Sequence, residues 1–455
     1  MSAVVDRAAA ALPLLNFARP ERPFAWHAGR TRSVGEFLAD VEAVAEVLPA
    51  LPCAVNLCED RYSFLVAFCA VASRGQTNLL PPSRAPQAID EVIASHPGCY
   101  AIGDTDRPGL PGHYVRVDTG HARTNGVSVP PIYAEQIVAI GFTSGSTGQP
   151  KPNPKRWASV YASSAHNART LIDAIGLAPG AFAHIVATVP PQHMYGLEMS
   201  VLLPLLGPFA VHGGKPFFPA DVAAALAEVP EPRLLVTTPV HLKALLRDPV
   251  ELPKLAAITS ATAPLTRELA AEAQARYGAP MLELFGSTET CVIAHRRTAS
   301  ETEWQLYPGI ALRPQPDGTQ VDAPYFAQSV VLQDVVELLP DRRFNLRGRN
   351  ADLVEIAGKR ASLADLTHRL LALTGVTDAV ALQLDEPDGA GIRRIAALVV
   401  APGRSEAELT EELRRAVDPV FLPRPLRRID RLPRNETGKL TRAAVLAALA
   451  APALG

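Results

Sequence analysis

From Ile137 onward, short apolar runs alternate with longer stretches of helical periodicity, and no other feature constrains the fold of this chain as strongly. "IVAIGF" (137–142), "HIVATV" (184–189), "RLLVTT" (233–238), "LAAITS" (255–260) and "MLELF" (281–285) read as buried strands. After the first of them, Val160, Leu171, Ile172 and Ile175 lie at spacings that fit one apolar helix face, with Gly176 placed to end the helix. Strand and helix in alternation imply an α/β layer architecture. Each run is followed within two residues by Pro, Gly, Ser or Thr, so the loops at the carboxyl ends of the strands are rich in hydroxyls and turns. In open α/β sheets that edge is where ligands bind.

At 455 residues the chain exceeds what one hydrophobic core usually supports, so two or more domains are expected. Near "NLRGRNADLVEIAGKR" (345–360) the texture changes. Beyond it, "DAVALQL" and "IRRIAALVV" predict a strand pair joined by the turn-rich "DEPDGAG", and Ser405 followed by Glu408 predicts a capping box at a helix start. About 100 residues there suit a small α+β domain. The expected division is an N-terminal α/β domain over 1–349 and a C-terminal domain over 350–455.

A formal charge of -2 offers no electrostatic reason to expect nucleic acid as the main partner, and a small-molecule function fits better. The five cysteines, odd in number and without a CxxC pair, argue against a disulfide framework or a zinc site. They read as reduced and mostly buried. No segment has the apolar length of a membrane span and the N-terminus does not read as a signal peptide, so a cytoplasmic protein is expected.

The segment "FTSGSTGQPKPNPKRW" (142–157) carries the chemistry of the N-terminal part. Backbone N–H groups of a Gly/Ser/Thr turn converge on a point and the hydroxyls add rotating donors, so the turn suits a polyanion; taken alone, the same residues also read as a flexible surface turn. The P-loop pattern G-x-x-x-x-G-K-[ST] does not fit, because Gly145 and Gly148 are too close, Lys151 comes late and no hydroxyl follows it. Pro150, Pro152 and Pro154 lack N–H donors, so the segment after Gly148 is expected to be extended, carrying Lys151 on an arm.

With "ELFGSTET" (283–290), "FNLRGRNADLVEIAGKR" (344–360) and "LPRNETGKLTR" (432–442) following in order, this segment resembles the signatures of the adenylate-forming superfamily of acyl-CoA synthetases, peptide-synthetase adenylation domains and luciferases. The resemblance spans most of the chain beyond its first 130 residues or so. It implies a large adenylation domain followed by a small mobile domain, with ATP, Mg²⁺ and a thiol from CoA or phosphopantetheine as reaction partners. Residue by residue, it makes Thr143, Ser144, Gly145, Ser146, Thr147, Gly148 and Lys151 the phosphate loop. Thr288 would meet the α-phosphate and Glu289 would hold Mg²⁺, a hard cation that prefers oxygen ligands. Adenine would lie between Thr262, Ala263 and Pro264 on one side and Glu283, Leu284 and Phe285 on the other. Relatives carry glycines where this chain has Ala261 and Thr262, which implies a tighter wall. Asp334 and Arg349 would reach the ribose, although the usual threonine-glycine-aspartate run is here Leu332-Gln333-Asp334.

Lys439 matches the lysine that relatives bring to the carboxylate and α-phosphate, where an ammonium offsets the repulsion of two anions. For thiol attack the small domain is expected to rotate, presenting "EIAGKR"; the usual hinge Asp or Lys is here Ala351, with Asp352 next to it. "VPPQHMYGLEMS" corresponds to the acid pocket, with His193 near the acyl carbonyl and Met194, Tyr195, Gly196, Thr290, Cys291 and Val292 as walls. Met194 stands where amino-acid-activating relatives place an aspartate, so an α-amino acid is disfavoured: its ammonium would be buried unpaired. An aryl or medium acyl acid fits. "NLCEDRYSFLVAFCA" and "RGQTNLLPPSRAP" are similar to the short synthetases of aryl-polyene and xanthomonadin-type pigment clusters, which implies delivery to CoA or to an acyl carrier protein. A non-catalytic nucleotide-binding relative and a luciferase-type oxygenase are the alternative readings.

Overall fold

The computed structural model describes residues 10–107, 113–120, 128–144, 150–315, 318–349, 353–356, 359–388, 393–435 and 438–451. It divides into two compact units: one of Met1–Thr302, Tyr307–Gly309 and Pro324–Ala327, the other of Glu303–Leu306, Ile310–Ala323 and Gln328–Gly455.

In the first unit the apolar runs form parallel strands. Met281–Ser287, Ala257–Ser260, Arg233–Thr237, Ala183–Ala187, Phe209–His212 and Pro23–His27 pair in that order, all parallel, with Cys291–Arg296 and Arg30–Ser33 added antiparallel at either side. Alternation divides their side chains between two layers. Val186, Leu235, Ile258 and Met281 face the helices Pro219–Glu228, Pro239–Arg247 and Arg267–Tyr277 in one core. A second, six-stranded sheet runs Pro150–Arg156, Ile137–Ser144, Thr77–Leu80, Cys53–Asn56, Tyr100–Gly103, Tyr114–Arg116. The helix Arg61–Ser73 is buried over nearly its whole circumference, as expected of "FLVAFCAVA", which has no polar stripe to offer water.

The three prolines find their reason here. Pro150–Arg156 is the edge strand of the second sheet and, among the described residues, pairs only with Ile137–Ser144, antiparallel, Lys151 facing Thr143 and Asn153 facing Gly141. Residues at alternate positions turn their backbone N to the same side. Pro150, Pro152 and Pro154 thus put their missing donors on the open edge, where no partner is lost and no further strand can add. The segment is extended, as its sequence predicts, and Gly176 does end the helix Trp157–Ile175, at φ 60°. Of that helix's apolar positions, Val160 and Leu171 are buried and Ile172 and Ile175 are half-buried. All five cysteines are free; four are buried and Cys99 is half-buried.

The second unit contains the expected strand pair, Asp378–Gln383 with Ile395–Val400, and Leu426–Arg428 adds to it in parallel. Ala379, Ala381, Ala397 and Val399 pack on Leu366, Leu370, Leu409 and Leu413 of the helices Leu363–Leu371 and Glu406–Arg414. The alternate residues Leu382, Ala396 and Leu398 pack on Val445 and Leu449 of the helix Arg442–Ala450. The capping box is present, with Ser405 Oγ accepting from the Glu408 N–H and the Glu408 carboxylate accepting from the Ser405 N–H at 2.8 Å. In the same unit, Asp334–Leu339 and Arg343–Arg349 form a hairpin whose tip holds Asp341 and Arg342 at φ 58° and 57°, the conformation of a type I′ turn.

Candidate active site

Several predicted site residues of the first unit gather at the carboxyl edge of its parallel strands. The strand Met281–Ser287 ends in a turn that its own hydroxyls tie: Ser287 Oγ accepts from the N–H groups of Glu289 and Thr290, at 3.1 and 3.2 Å, and Thr290 Oγ1 accepts from the Ser287 N–H at 3.2 Å. The turn is tight enough to require glycine before it, since a Cβ on Gly286 would lie 2.1 Å from the Cys291 carbonyl oxygen. Thr288 and Glu289 are half-buried, and among the described residues no hydrogen bond or ion pair engages the Thr288 hydroxyl or the Glu289 carboxylate.

This turn meets the hairpin that carries the phosphate-loop segment. Lys155 Nζ, on a residue 5% exposed, donates to the Glu289 carbonyl at 2.9 Å. A Cβ on Gly141 would lie 3.3 Å from Thr288 Cγ2, so the threonine rests against the strand that leads into the loop. Thr143 and Ser144 end that strand and Lys151 is exposed on its partner; Gly145, Ser146, Thr147 and Gly148 lie outside the described residues.

On the adjacent strand end, Thr262 adopts φ 79°, in the left-handed region that favours glycine, and its Oγ1 is buried without a partner among the described residues. Ala263 is half-buried and Pro264 exposed. Glu283 is 3% exposed, and its carboxylate accepts from the Leu265 N–H at 3.1 Å, from Arg296 Nε at 2.8 Å and from Thr298 Oγ1 at 2.7 Å. Its side chain therefore holds the 261–265 loop against the strand. Leu284 is buried and Phe285 half-buried. Ser260 Oγ, at the end of the strand Ala257–Ser260, and Gln192 Oε1, in the loop after Ala183–Ala187, are further buried polar atoms without partners among the described residues. Such unsatisfied groups suit a polar ligand of nucleotide type, which would supply what burial withholds.

The acid-pocket segment begins with half-buried His193 and Met194, followed by helical turns Met194–Leu197, Glu198–Leu202 and Leu203–Leu206, the middle one a π turn. A Cβ on Gly196 would sit 1.9 Å from the Pro190 carbonyl oxygen, so glycine lets this helix close on the preceding loop. Tyr195 is buried with its hydroxyl 2.8 Å from Thr259 Oγ1, and burial pushes the phenol's pKa up. Thr290, Cys291 and Val292 are buried; burial raises the Cys291 thiol to about 12, which makes it a poor nucleophile.

Three buried charges near this site are not among the residues the motifs single out: Lys155, Arg61 and Glu198. Arg61 donates to the carbonyls of Ala187 and Val189, at 2.8 and 2.9 Å, and to Ser200 Oγ. It thereby fixes the strand end that leads to His193. Of the three, Glu198 alone has a sequence signal, a charge inside the otherwise apolar run "GLEMSVLLPLL"; Lys155 and Arg61 lie among other polar residues.

The second unit holds the other predicted residues. Asp334, half-buried, faces Arg349 in the hairpin register, so the two expected ribose ligands are brought together, and the Asp334 carbonyl accepts from Thr319 Oγ1 at 2.6 Å. Lys439 is exposed at the end of a turn in which its N–H donates to Asn435 Oδ1 at 2.9 Å. Arg434 braces that turn, donating to the Gly438 carbonyl at 2.9 Å and to both carboxylate oxygens of Asp378 at 3.1 and 2.8 Å. Ala351 and Asp352 lie outside the described residues.

The family model for AMP-binding enzymes matches residues 17–322. The chain belongs to that family. Among the relatives of this AMP-binding enzyme, a 4-coumarate–CoA ligase of Rhodobacter capsulatus is 31% identical over 62% of this chain and 68% of the relative. A 4-coumarate–CoA ligase of Halorhodospira halophila is 30% identical over 66% of this chain and 73% of the relative. The solved structure of o-succinylbenzoate coenzyme A synthetase from Bacillus subtilis, in complex with ATP and magnesium ion, has the same fold, with a TM-score of 0.76 at 18% identity over 93% of this chain and 96% of that one. This AMP-binding enzyme is an ATP-dependent, adenylate-forming acid–thiol ligase, on an α/β fold with a second, α+β unit.

Proposed function

We propose that the protein joins an aryl carboxylic acid to the thiol of CoA through an acyl-adenylate. The observation that supports the site reading is the tie between the strands Ile137–Ser144 and Pro150–Arg156, which flank the candidate phosphate loop, and the turn 287–290, which carries the candidate metal ligand. The relatives named as 4-coumarate–CoA ligases support an aryl acid and CoA as acceptor. Met194, in place of a carboxylate, supports an acid without an α-ammonium.

In this reading Mg²⁺ supplies charge neutralisation for the triphosphate. Glu289 offers a carboxylate to it, and Thr288 offers a hydroxyl to the α-phosphate. Thr143, Ser144, Gly145, Ser146, Thr147, Gly148 and Lys151 cradle the outer phosphates. Thr262, Ala263, Pro264, Leu284 and Phe285 flank the adenine, Glu283 braces that wall, and Asp334 and Arg349 take the ribose. The acid's carboxylate oxygen bonds to the α-phosphorus as the bond to pyrophosphate breaks, with Lys439 offsetting the charge. The thiol then gives up its proton and its sulfur bonds to the acyl carbon as AMP leaves. His193 borders that carbonyl, while Met194, Tyr195, Gly196, Thr290, Cys291 and Val292 shape the acid pocket. The functional division lies at 349/350, with the C-terminal part turning between the two half-reactions.

The resemblance to pigment-cluster synthetases supports a hydroxyaryl acid and keeps a carrier-protein thiol in view. A panel of aryl and acyl acids, assayed for pyrophosphate release with CoA and separately with a phosphopantetheinylated carrier protein, tests the whole reading. Turnover of aryl acids with CoA is expected. Turnover with the carrier protein alone would reassign the acceptor, and ATP binding without acid-dependent pyrophosphate exchange would replace the ligase by a binding protein.

A further inference from the structure

Glu198 is 1% exposed and opens the π turn in the helical segment that follows His193. π turns of this kind recur at functional sites. Its carboxylate accepts from Ser163 Oγ at 2.6 Å, from Asn167 Nδ2 at 3.2 Å and from the Val292 N–H, which reaches its two oxygens at 3.1 and 3.0 Å. Burial raises the pKa of this carboxyl, and Ser163, Val292, the charge of Lys155 and Asn167 act in the opposite direction.

Val292 sits where the ladder between Met281–Ser287 and Cys291–Arg296 slips. Phe285 faces Ala294 but Gly286 faces Val292, so Ile293 is the extra residue of a bulge. Bulges disrupt the ladder locally and re-aim the side chains beside them. The strain here is visible in Cys291, a non-glycine residue at φ 63°. The group that accepts the Val292 N–H belongs to another element, 94 residues away in the chain. A buried carboxylate is a costly way to fill space, and removing one partner of such an arrangement is more damaging than never having built it.

We propose that Glu198 is a positioning residue: it fixes the bulge at Val292 and so aims the Thr288–Glu289 turn at the nucleotide, tying the acid-pocket helix to the metal-binding turn. The inference rests on the reading of Glu289 as the Mg²⁺ ligand. Glu198→Gln keeps the shape of the side chain and one acceptor oxygen, and replaces by a donor the second oxygen, which among the described residues accepts from the Val292 N–H alone.

The test compares the full-length wild type, Glu198→Gln and Glu289→Gln by hydrogen exchange without ligands and by the Mg²⁺ dependence of binding of a non-hydrolysable ATP analogue. In Glu198→Gln the Val292 amide is expected to exchange about tenfold faster while Ala183–Ala187 and Arg233–Thr237 keep their protection, as loss of a local tie predicts. The Mg²⁺ concentration at half-maximal binding is expected to rise by about the same factor, since tenfold in an equilibrium corresponds to one such bond. Glu289→Gln should shift the Mg²⁺ dependence and leave Val292 exchange unchanged. Wild-type exchange at Val292 in Glu198→Gln, or an unshifted Mg²⁺ dependence there when Glu289→Gln shifts it, would overturn the proposal. No shift in Glu289→Gln would instead remove the metal assignment and leave the exchange rate to decide the role of Glu198 at the bulge. Should Glu198→Gln not fold, Ser163→Ala removes one donor only; faster Val292 exchange of smaller size is expected, and wild-type exchange would again overturn the proposal.

Discussion

Lys155 Nζ donates to the backbone carbonyl of Glu289 at 2.9 Å, across 134 residues of sequence. Through this one bond the hairpin of the phosphate-loop segment holds the turn that carries the metal-ligand candidate. Replacing Lys155 by Met leaves the Glu289 carbonyl without its donor. A buried polar group left unpaired costs about 1–3 kcal/mol. Urea unfolding is expected to register a loss of that size, and acid-dependent pyrophosphate exchange should fall by about one to two powers of ten. Exchange at the wild-type rate would show that the turn keeps its place without the lysine.

Lys439 is assigned to the first half-reaction only. In Lys439→Ala, adenylate formation should slow by about a hundredfold or more, the scale expected for removal of one electrostatic stabiliser. Transfer of the acyl group from a supplied acyl-adenylate to CoA should change far less. Rapid-quench measurement of the two steps separates them, and equal losses in both would sink the assignment of a rotating C-terminal domain.

Thr262 occupies a backbone conformation that suits glycine, at φ 79°. Strain of this type costs about 1–3 kcal/mol, and glycine's extra freedom in the unfolded chain returns about 0.5–1 kcal/mol of that. Thr262→Gly should therefore raise stability by about 1 kcal/mol in denaturant titration. The KM for ATP should also move if Thr262 lines the adenine, as proposed, because that wall then loses a side chain. A destabilised variant would mean that the threonine's packing outweighs its strain.

His184 stands 7% exposed, edge-on to Trp26 with ring centroids 4.8 Å apart, and desolvation lowers its pKa from 6.5 to about 4. Between those values the unfolded chain binds a proton that the folded one refuses. The stability associated with neutral His184 is thus fully present above pH 6.5 and is lost as pH falls toward 4, by an amount on the order of 3 kcal/mol. In His184→Leu the acid limb of the urea midpoint against pH should be flatter over that interval. An unchanged limb would place the titration elsewhere.

Much of the fold is written in local pattern. Runs such as "RLLVTT" become parallel strands because they are short and apolar on both faces, Gly176 ends its helix because it accepts a left-handed cap, and Ser405 with Glu408 caps a helix by reaching over one turn. The alternating prolines after the hydroxyl-rich loop likewise predict an extended segment, since each removes a donor and restricts its predecessor. These signals act within a few residues, so the sequence by itself determined them. The motifs also determined the family, because four signatures in order name a chemistry before any contact is known.

Only the tertiary structure decided which charges hold the site together. Glu283 reads as part of an adenine wall, yet its carboxylate is committed to Leu265, Arg296 and Thr298. Glu198 and Lys155 become braces because closure of the sheet brings Val292 and the Glu289 carbonyl within hydrogen-bond reach. The physical reason is distance along the chain: a bond between residues 94 or 134 apart depends on every strand between them taking its register, and no local pattern encodes that closure.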